Sequence, residues 1–218
     1  MATSKADQAY GILRSRITRG TYGAGHRLVV DQLVREHAIS SVPWREALRR
    51  LEAEGWVEIV PNVGALVRAH DADDWERSMH LLARLEGLGT ALSSAHLTPD
   101  DLDEARNLNA RMRAALETYD GPAYGELHRR LHAHLCSRSG DARLTSLLEH
   151  EWIRAELIRN SASFHAPGRA VAVLEEHDAL IDLIAAGTDA DAVESATRAH
   201  ILGTLEAVIN HEAGQTAP

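Results

Sequence analysis

One short stretch constrains this chain more than any other: the run from Ser40 to Gly55, which reads SSVPWREALRRLEAEG. Ser40 is the predicted N-cap, whose hydroxyl can accept from a free backbone N–H of the first turn, and Gly55 is predicted to end the helix. Three apolar residues recur on one face at helical spacing: Ala47, Leu48 and Leu51. Ser41, Arg45 and Arg49 lie four residues apart on another face. The stretch therefore predicts a helix that packs on one side and presents arginines on the other.

The neighbouring patterns predict a small domain around this helix. Two helical patterns come before it, Lys5 to Arg19 and Leu28 to His37. The second ends just before the arginine helix, which is the spacing of a helix-turn-helix. Downstream, two short β-like runs, Trp56 to Val60 and Ala65 to Arg68, flank turn-forming residues and predict a hairpin. Three helices and a hairpin make a winged helix-turn-helix domain, which we expect over residues 1–70.

Charge is divided unevenly along the chain. The formal net charge of −9 would disfavour a nucleic-acid partner if it were spread evenly. Residues 1–69, however, hold ten Lys and Arg against seven Asp and Glu, a balance of about +3, and the remainder holds thirteen against twenty-five, a balance of about −12. This division predicts a basic DNA-reading part and an acidic part that points away from phosphate.

From Asp71 onward the pattern is helical throughout. Six helices are expected, at about 72–95, 99–118, 122–139, 141–162, 169–186 and 189–212. Short joints separate them, so neighbouring helices should pack antiparallel in a bundle. We expect this second, all-α domain over residues 71–213 and a tail over 214–218. The predicted fold is mainly α, a winged helix-turn-helix followed by a six-helix bundle.

The cysteine count and the lack of long apolar runs bear on the compartment. Cys136 is the single cysteine, so no disulfide can form within the chain. The sequence contains no run of about eighteen apolar residues and no cleavable signal pattern. We therefore expect a cytoplasmic protein with no membrane partner.

Four of the thirteen histidines form a pattern. His128 and His132 stand four apart on one predicted helix, which puts both imidazoles on one face, where they can clamp one metal ion. His177 and His200 each fall on the inward-facing row of a later helix. On spacing alone, a metal site and an accidental arrangement both remain open.

The first part of the chain resembles the N-terminal domain of GntR-type transcription regulators. Three separated segments carry the resemblance: GTYGAGHRL (Gly20–Leu28), SSVPWREALRRLEAEGWV (Ser40–Val57) and NVGALV (Asn62–Val67). Arg45 and Arg49 match the family pattern. Ser41 stands where the family usually has an arginine, and Val63 stands where it commonly has a basic residue.

The resemblance implies that the arginine helix enters the major groove of duplex DNA. An arginine there can bind guanine O6 and N7 together, which is worth roughly 1–3 kcal/mol of discrimination, and Arg45 is the candidate for this base contact. Arg49 and Arg50 are assigned to phosphates, with an ion pair of Arg50 to Glu46 or Glu54 as the alternative. The expected DNA-binding residues are Ser40, Ser41, Arg45, Arg49, Arg50, Asn62 and Gly64.

The helical part resembles the FCD effector domain of the FadR-like branch of GntR regulators. Three segments carry this resemblance: HRRLHAHLCSRSGDARL (His128–Leu144), EHDALIDLI (Glu176–Ile184) and RAH (Arg198–His200). In that domain an Asp, a His four residues later and two further His hold a divalent metal beside a small-molecule pocket. His132, His177 and His200 fall on the three histidine positions, and His128 stands where the aspartate is expected.

This replacement predicts the kind of metal and effector. An all-imidazole set suits Zn²⁺ or Ni²⁺ better than a hard cation, and the loss of a carboxylate leaves the site one unit more positive, which favours an anionic effector. The alternative is that His128 points to solvent, while three histidines and a water or effector complete the shell.

These observations predict a homodimeric DNA-binding transcription regulator, by resemblance a repressor, and not an enzyme. It would bind an operator with paired half-sites and a small carboxylate-type metabolite at or near the metal. The first alternative is a metal-dependent helical-bundle enzyme, since a three-histidine site with an open position is chemically capable of hydrolysis or oxygenation, although no carboxylate lies among the four candidate ligands. The second is a regulator with a vestigial metal site.

Overall fold

The computed structural model describes residues 4–61, 63–162 and 168–216. The chain divides into two compact units. The first comprises Met1–Trp75 with Ile153–Phe164, and the second comprises Glu76–Trp152 with His165–Pro218. As predicted, the fold is mainly α, with a winged helix-turn-helix followed by helices, and no helix among the described residues combines the length and apolarity needed to cross a membrane.

Among the described residues, the first unit contains three complete helices and a small sheet. Its elements are α1 (Lys5–Thr18), β1 (Arg27–Leu28), α2 (Val30–His37), α3 (Ser41–Ala53), β2 (Val57–Val60) and β3 (Gly64–Val67). The sheet is antiparallel with the order β1-β3-β2. The wing therefore has three strands, not the predicted two. Leu28 was expected to begin a helix, but it lies in β1 opposite Ala65, because a strand of two residues is too short to produce a periodic signal.

Helix α3 is the predicted arginine helix. Its apolar face is buried in the core of the first unit, together with Trp44, whose indole Nε1 donates to the Ile39 carbonyl at 3.2 Å. Ser40 is the N-cap residue, but the predicted hydroxyl cap is wrong, because its side chain makes no capping hydrogen bond in the described part of the chain. Gly55 follows the helix with φ +81°, a left-handed conformation that favours glycine.

Helix α4 begins in the first unit and ends in the second, and α7 begins in the second and ends in the first. Four further described helices lie in the second unit. The elements are α4 (Ala72–Ser94), α5 (Pro99–Glu117), α6 (Gly121–Leu135), α7 (Ala142–Ala162), α8 (Arg169–Ala185) and α9 (Ala190–Thr216). Helix α5 packs against α6 and α8, and α8 packs against α9. Helix α5 begins with a capping box, in which the Thr98 and Asp101 side chains each accept from the other residue's backbone N–H.

Two helix ends differ from the prediction. Helix α6 ends at Leu135 and not at 139, because the chain turns at Cys136, whose N–H still bonds to the His132 carbonyl. Helix α9 extends to Thr216. Residues 214–216 of the predicted tail are therefore helical, and 217–218 lie outside the described residues.

Two glycines let α4 lie close to its neighbours. A Cβ added at Gly89 would stand 3.0 Å from Cys136 Sγ and 3.2 Å from Leu148 Cδ1, and one added at Gly87 would stand 2.8 Å from Arg198 Cγ. Such distances are tighter than ordinary van der Waals contact, so the neighbouring side chains would have to move to admit a Cβ. Glu86, the residue before Gly87, is 2% exposed and belongs to the site described next.

Candidate metal centre and DNA-binding surface

The four histidines singled out from the sequence lie together in the second unit. His128 and His132 come from α6, His177 from α8 and His200 from α9. The His132 Nε2 atom lies 3.2 Å from that of His128, 3.2 Å from that of His177 and 3.4 Å from that of His200, and the His177 and His200 atoms lie 3.2 Å apart. The four candidate ligand atoms all lie within 4.8 Å of one another.

These separations match those of ligands around one metal ion. A tetrahedral ion about 2.0–2.1 Å from each nitrogen sets neighbouring nitrogens roughly 3.3 Å apart. His132, His177 and His200 form a triangle with edges of 3.2, 3.2 and 3.4 Å. His128 is the fourth member, half-buried, with its ring nearly parallel to that of Tyr124 at a centroid distance of 6.1 Å.

Carboxylates stand behind two of these imidazoles. Glu86 Oε2 lies 2.5 Å from His132 Nδ1, and Glu176 Oε2 lies 2.6 Å from His200 Nδ1. The Glu176 carboxylate accepts from His200 Nδ1, so that nitrogen carries the proton. At 2.5 Å from a carboxylate oxygen, His132 Nδ1 is assigned the proton as well, since two lone pairs would repel at that distance. In a neutral imidazole whose Nδ1 is protonated, Nε2 carries no proton and has a lone pair available to a metal ion.

An amide does the same for His177. The Asn109 Nδ2 group donates to the Leu174 carbonyl at 2.9 Å and to Asp178 Oδ1 at 2.7 Å, and this fixes the orientation of the amide. Asn109 Oδ1, which can only accept, then lies 3.1 Å from His177 Nδ1. His177 therefore also presents an unprotonated Nε2.

The donor set fits a divalent cation. Burial, and next the neighbouring imidazoles, hold the pKa of His177 well below its usual value, and burial lowers the pKa of His200 although Glu176 opposes the shift. Both rings are therefore neutral near pH 7. Imidazole lone pairs that face one another across 3.2–3.4 Å repel, and a cation between them turns that repulsion into attraction.

Glu86 is a functional candidate that the sequence did not indicate. Its carboxylate lies against His132 as an ion-pair contact, and its other oxygen accepts from Trp152 Nε1 at 2.5 Å. An acid inside the apolar run LLARLEGLGTAL looks like one more residue on a helix surface. The available signal was its position: Glu86 lies four residues after Leu82 and three after Ala83, both buried, on the apolar face of α4.

Arg169 and Glu176 form a second charged pair at the cluster. The Arg169 guanidinium donates to both Glu176 oxygens at 2.5 and 2.6 Å, and to the His200 carbonyl at 2.9 Å. Burial raises the pKa of Glu176, but bonds from His200 and Arg169 lower it more, to about 2. The charge prediction counted ligands only and needs correction, since two carboxylates and one guanidinium lie directly behind the imidazoles.

The three predicted DNA-binding arginines are all exposed on α3, and two of them border a groove. Arg45 and Arg49 border a groove of about 250 Å³ between α3 and the sheet, whose apolar walls include Ile59 and Val63. Neither arginine has an ion-pair partner among the residues that the structure describes. Both guanidinium groups are therefore available to an anionic partner.

Arg50 is placed differently. Its Nε lies 3.2 Å from Glu54 Oε1, its Nη1 lies 3.5 Å from Asp7 Oδ1, and its guanidinium stacks 3.8 Å above the Tyr10 ring. The Tyr10 hydroxyl donates to the other Glu54 oxygen at 2.6 Å. The alternative pairing with Glu54 is thus the one observed, although the Arg50 side chain is still 53% exposed.

The structure describes three of the four remaining residues that were predicted to contact DNA. Ser40 is exposed and Ser41 is half-buried at the start of α3. Gly64 begins β3 with φ +119°, and a Cβ there would stand 3.3 Å from the Leu28 carbonyl oxygen, so the backbone itself requires this glycine. Asn62 lies outside the described residues.

A winged helix-turn-helix with two available arginines on its third helix, joined to a helical domain, defines a DNA-binding transcription regulator. Comparison with protein-family models agrees. The model "Bacterial regulatory proteins, gntR family" matches residues 5–67, and "FCD domain" matches residues 77–203. The chain therefore belongs to the GntR family of bacterial regulatory proteins and carries an FCD domain. This assignment makes it a regulator and not an enzyme.

Known proteins similar to this chain are regulators of the same type. The chain is 26% identical over 142 residues to the HTH-type transcriptional regulator McbR of Escherichia coli K12, a match that covers 65% of this chain and 64% of McbR. It is 28% identical over 178 residues to the uncharacterized HTH-type transcriptional regulator YdhC of Bacillus subtilis 168. That match covers 78% of this chain and 76% of YdhC.

Solved structures have the same fold. The E. coli McbR/YncC structure aligns with a TM-score of 0.76 at 22% identity and covers 99% of this chain and 100% of that one. A putative GntR regulator from Rhodococcus sp. RHA1 aligns with a TM-score of 0.72 at 22% identity, covering 95% and 99%.

Proposed function

We propose that this regulator is a metal-dependent repressor whose operator binding responds to a small carboxylate-type metabolite. The observation that carries the proposal is the convergence of the Nε2 atoms of His132, His177 and His200 within 3.4 Å, each opposite a hydrogen-bonded or charge-paired Nδ1. Buried residues rarely bring three lone pairs together without a cation to receive them.

His132, His177, His200 and His128 would hold the ion. Nitrogen ligands favour Zn²⁺ or Ni²⁺ over Mg²⁺ or Ca²⁺, which prefer oxygen. The bound ion would supply the positive charge that attracts an effector carboxylate. The vestigial alternative is disfavoured, because the site retains Glu86, Asn109 and Glu176 behind its ligands, and partners of this kind tune metal affinity.

The net charge expected at the metal-loaded site supports an anionic effector. A divalent ion, the Glu86 and Glu176 carboxylates and the Arg169 guanidinium together leave a net charge of about +1. One carboxylate of an effector would neutralise it in a poorly solvated site, where uncompensated charge is costly. The effector would change operator binding only through different affinities for two states of the protein.

For DNA, we assign Arg45 to a base and Arg49 to a phosphate of the major groove. Arg50 is committed to Glu54 and Tyr10, so we assign it mainly to the support of α3. Ser40, Ser41, Asn62 and Gly64 remain candidates for further contacts to the backbone or wing. Because a DNA-binding regulator acts where the chromosome lies, we place the protein in the cytoplasm.

We propose a homodimer that binds paired half-sites. Leu81, Leu88 and Leu92 of α4 are 46%, 43% and 42% exposed and lie seven and four residues apart, on one face. Leu147 of α7 is 45% exposed next to Leu148, which contacts the Gly89 region of α4. A second copy of the chain would cover such a leucine row.

The test is direct metal binding by untagged protein. We expect wild type stripped of metal to bind about one Zn²⁺ per chain, and His132→Ala and His177→Ala to lose at least tenfold in affinity. His96→Ala changes an exposed histidine outside the cluster and should match wild type.

The DNA-binding proposal is tested separately. The affinities of wild type and Arg45→Ala for duplexes from near the gene are measured at low salt. Equal zinc affinity in all histidine variants would overturn the metal proposal. Equal DNA binding by wild type and Arg45→Ala would overturn the assignment of Arg45.

A further inference from the structure

Val42 stands out on the DNA-facing side of α3. Its side chain is 69% exposed although it is a valine in the first turn of the helix. It lies three residues before Arg45 and seven before Arg49, so the three share one helix face. The face that packs inward is already supplied by Trp44, Ala47, Leu48 and Leu51.

Nothing in the packing of the described residues of the first unit requires an apolar residue at this position. An exposed valine leaves apolar surface in water, and its β-branched side chain is a weaker helix former than alanine or glutamate. A single exposed apolar side chain is ordinary on most surfaces. On this face, however, it lies beside two arginines that have no ion-pair partner among the described residues.

The chemistry of the major groove offers one apolar group for such a side chain to contact. Residues near the N-terminus of a recognition helix reach base edges, and the thymine C5-methyl is the apolar feature displayed there. Valine carries two methyl groups and no hydrogen-bonding atom, so it can contact thymine but can satisfy none of the donors or acceptors of the other bases. The adjacent Ser41 has too short a side chain to bind guanine at two points.

We infer that Val42 reads the 5-methyl group of a thymine in each operator half-site, beside the base contacted by Arg45. This inference rests on the proposed role of α3 in DNA binding and names the base class that it prefers. The operator should therefore carry an A·T pair at this position.

Replacement of thymine by uracil isolates the contact, because it removes only the methyl group. An operator is first selected from a random duplex library with the wild-type full-length protein. Each thymine is then replaced by uracil at equivalent positions of both half-sites, and affinity is measured for wild type, Val42→Ala and Val171→Ala. Val171 is 52% exposed on α8 and serves as the matched control.

One buried methyl group corresponds to about a fourfold change in affinity, so the paired replacement should weaken wild-type binding roughly 15-fold at one position. Val42→Ala should bind the thymine operator more weakly and be insensitive to that replacement, whereas Val171→Ala should behave as wild type. If uracil costs wild type and Val42→Ala the same at every position, the inference is wrong. If the library yields no selected duplex at all, the proposed DNA binding itself fails.

Discussion

Glu86 places one carboxylate between two ring N–H groups. Trp152 Nε1 donates to its Oε1 at 2.5 Å, and His132 Nδ1 lies 2.5 Å from its Oε2 as an ion-pair contact. A carboxylate offers two accepting oxygens, whereas an amide of the same size would turn an NH₂ group toward one of the donors. Sequence patterns could not predict this residue, because its partners lie 46 and 66 positions away in the chain, on α6 and α7.

We expect Glu86→Gln to bind Zn²⁺ about 10–100-fold more weakly than wild type, because His132 loses the acceptor that fixes its tautomer. Calorimetric titration of the stripped protein measures this. Glu76→Gln changes an exposed acid on the same helix and is the control. Unchanged affinity in Glu86→Gln, with intact circular dichroism, would contradict the role assigned to Glu86.

Because of Tyr10, we expect the first unit to lose stability at alkaline pH. Burial, and then the hydrogen bond to Glu54, raise the pKa of Tyr10 from 10.0 to about 12. A raised pKa means that the folded state favours the neutral phenol, so this contribution is complete below pH 10 and is lost as the pH rises toward 12. Wild type should therefore lose stability relative to Tyr10→Phe between these values, as urea unfolding at each pH can measure. A difference that is independent of pH would refute this.

At the scale of elements, helix periodicity predicted most of the fold. The bounds of α4, α5, α7 and α8 lie within one residue of expectation at each end, because long amphipathic helices with glycine, proline or threonine at their ends repeat a clear pattern. β1 was missed because its pairing with β3 depends on residues almost forty positions later. The Ser40 cap was wrong because capping depends on a rotamer, not on residue type alone.

Helix packing makes opposite predictions for two glycines. Gly89→Ala should destabilise the protein by about 1–3 kcal/mol, because its Cβ would meet Cys136 Sγ at 3.0 Å. Gly11→Ala on α1 should stabilise it by about 0.5–1 kcal/mol, since nothing lies within 4 Å of the added Cβ and alanine favours the helix. Denaturant unfolding of both variants checks the pair. The same sign for both would show that packing around α4 does not decide the outcome.

At the scale of the whole molecule, sequence reasoning placed the four histidines correctly in one cluster but not the charges around them. The spacing of His128 and His132 follows from one helix, His177 and His200 stood on the inward-facing rows of later helices, and the family resemblance joined the four into one predicted metal site. Glu86, Asn109 and Arg169 enter the site only when α4, α5, α8 and α9 pack together. Tertiary contacts of this kind leave no local signal in a single sequence.

The exposed leucines of α4 are the proposed dimer interface, so charged substitutions there should change the oligomeric state. Leu88→Glu with Leu92→Glu should convert the proposed dimer to monomers, because two charges would be buried without partners. Sedimentation velocity at micromolar concentration measures the mass. Val171→Glu places the same charge on an exposed residue of α8 and should remain dimeric. If the double variant sediments as wild type does, the interface lies elsewhere.

The only sulfhydryl of this regulator is shielded from redox chemistry. Burial, and next the charge of Glu86, raise the pKa of Cys136 to about 12, so almost no thiolate exists at neutral pH. Peroxide and alkylating reagents attack cysteine as the thiolate, and they should therefore leave Cys136 of the folded protein unmodified. Iodoacetamide would label Cys136 only when the helices around it separate, and the labelling rate would then report how often that part of the protein opens.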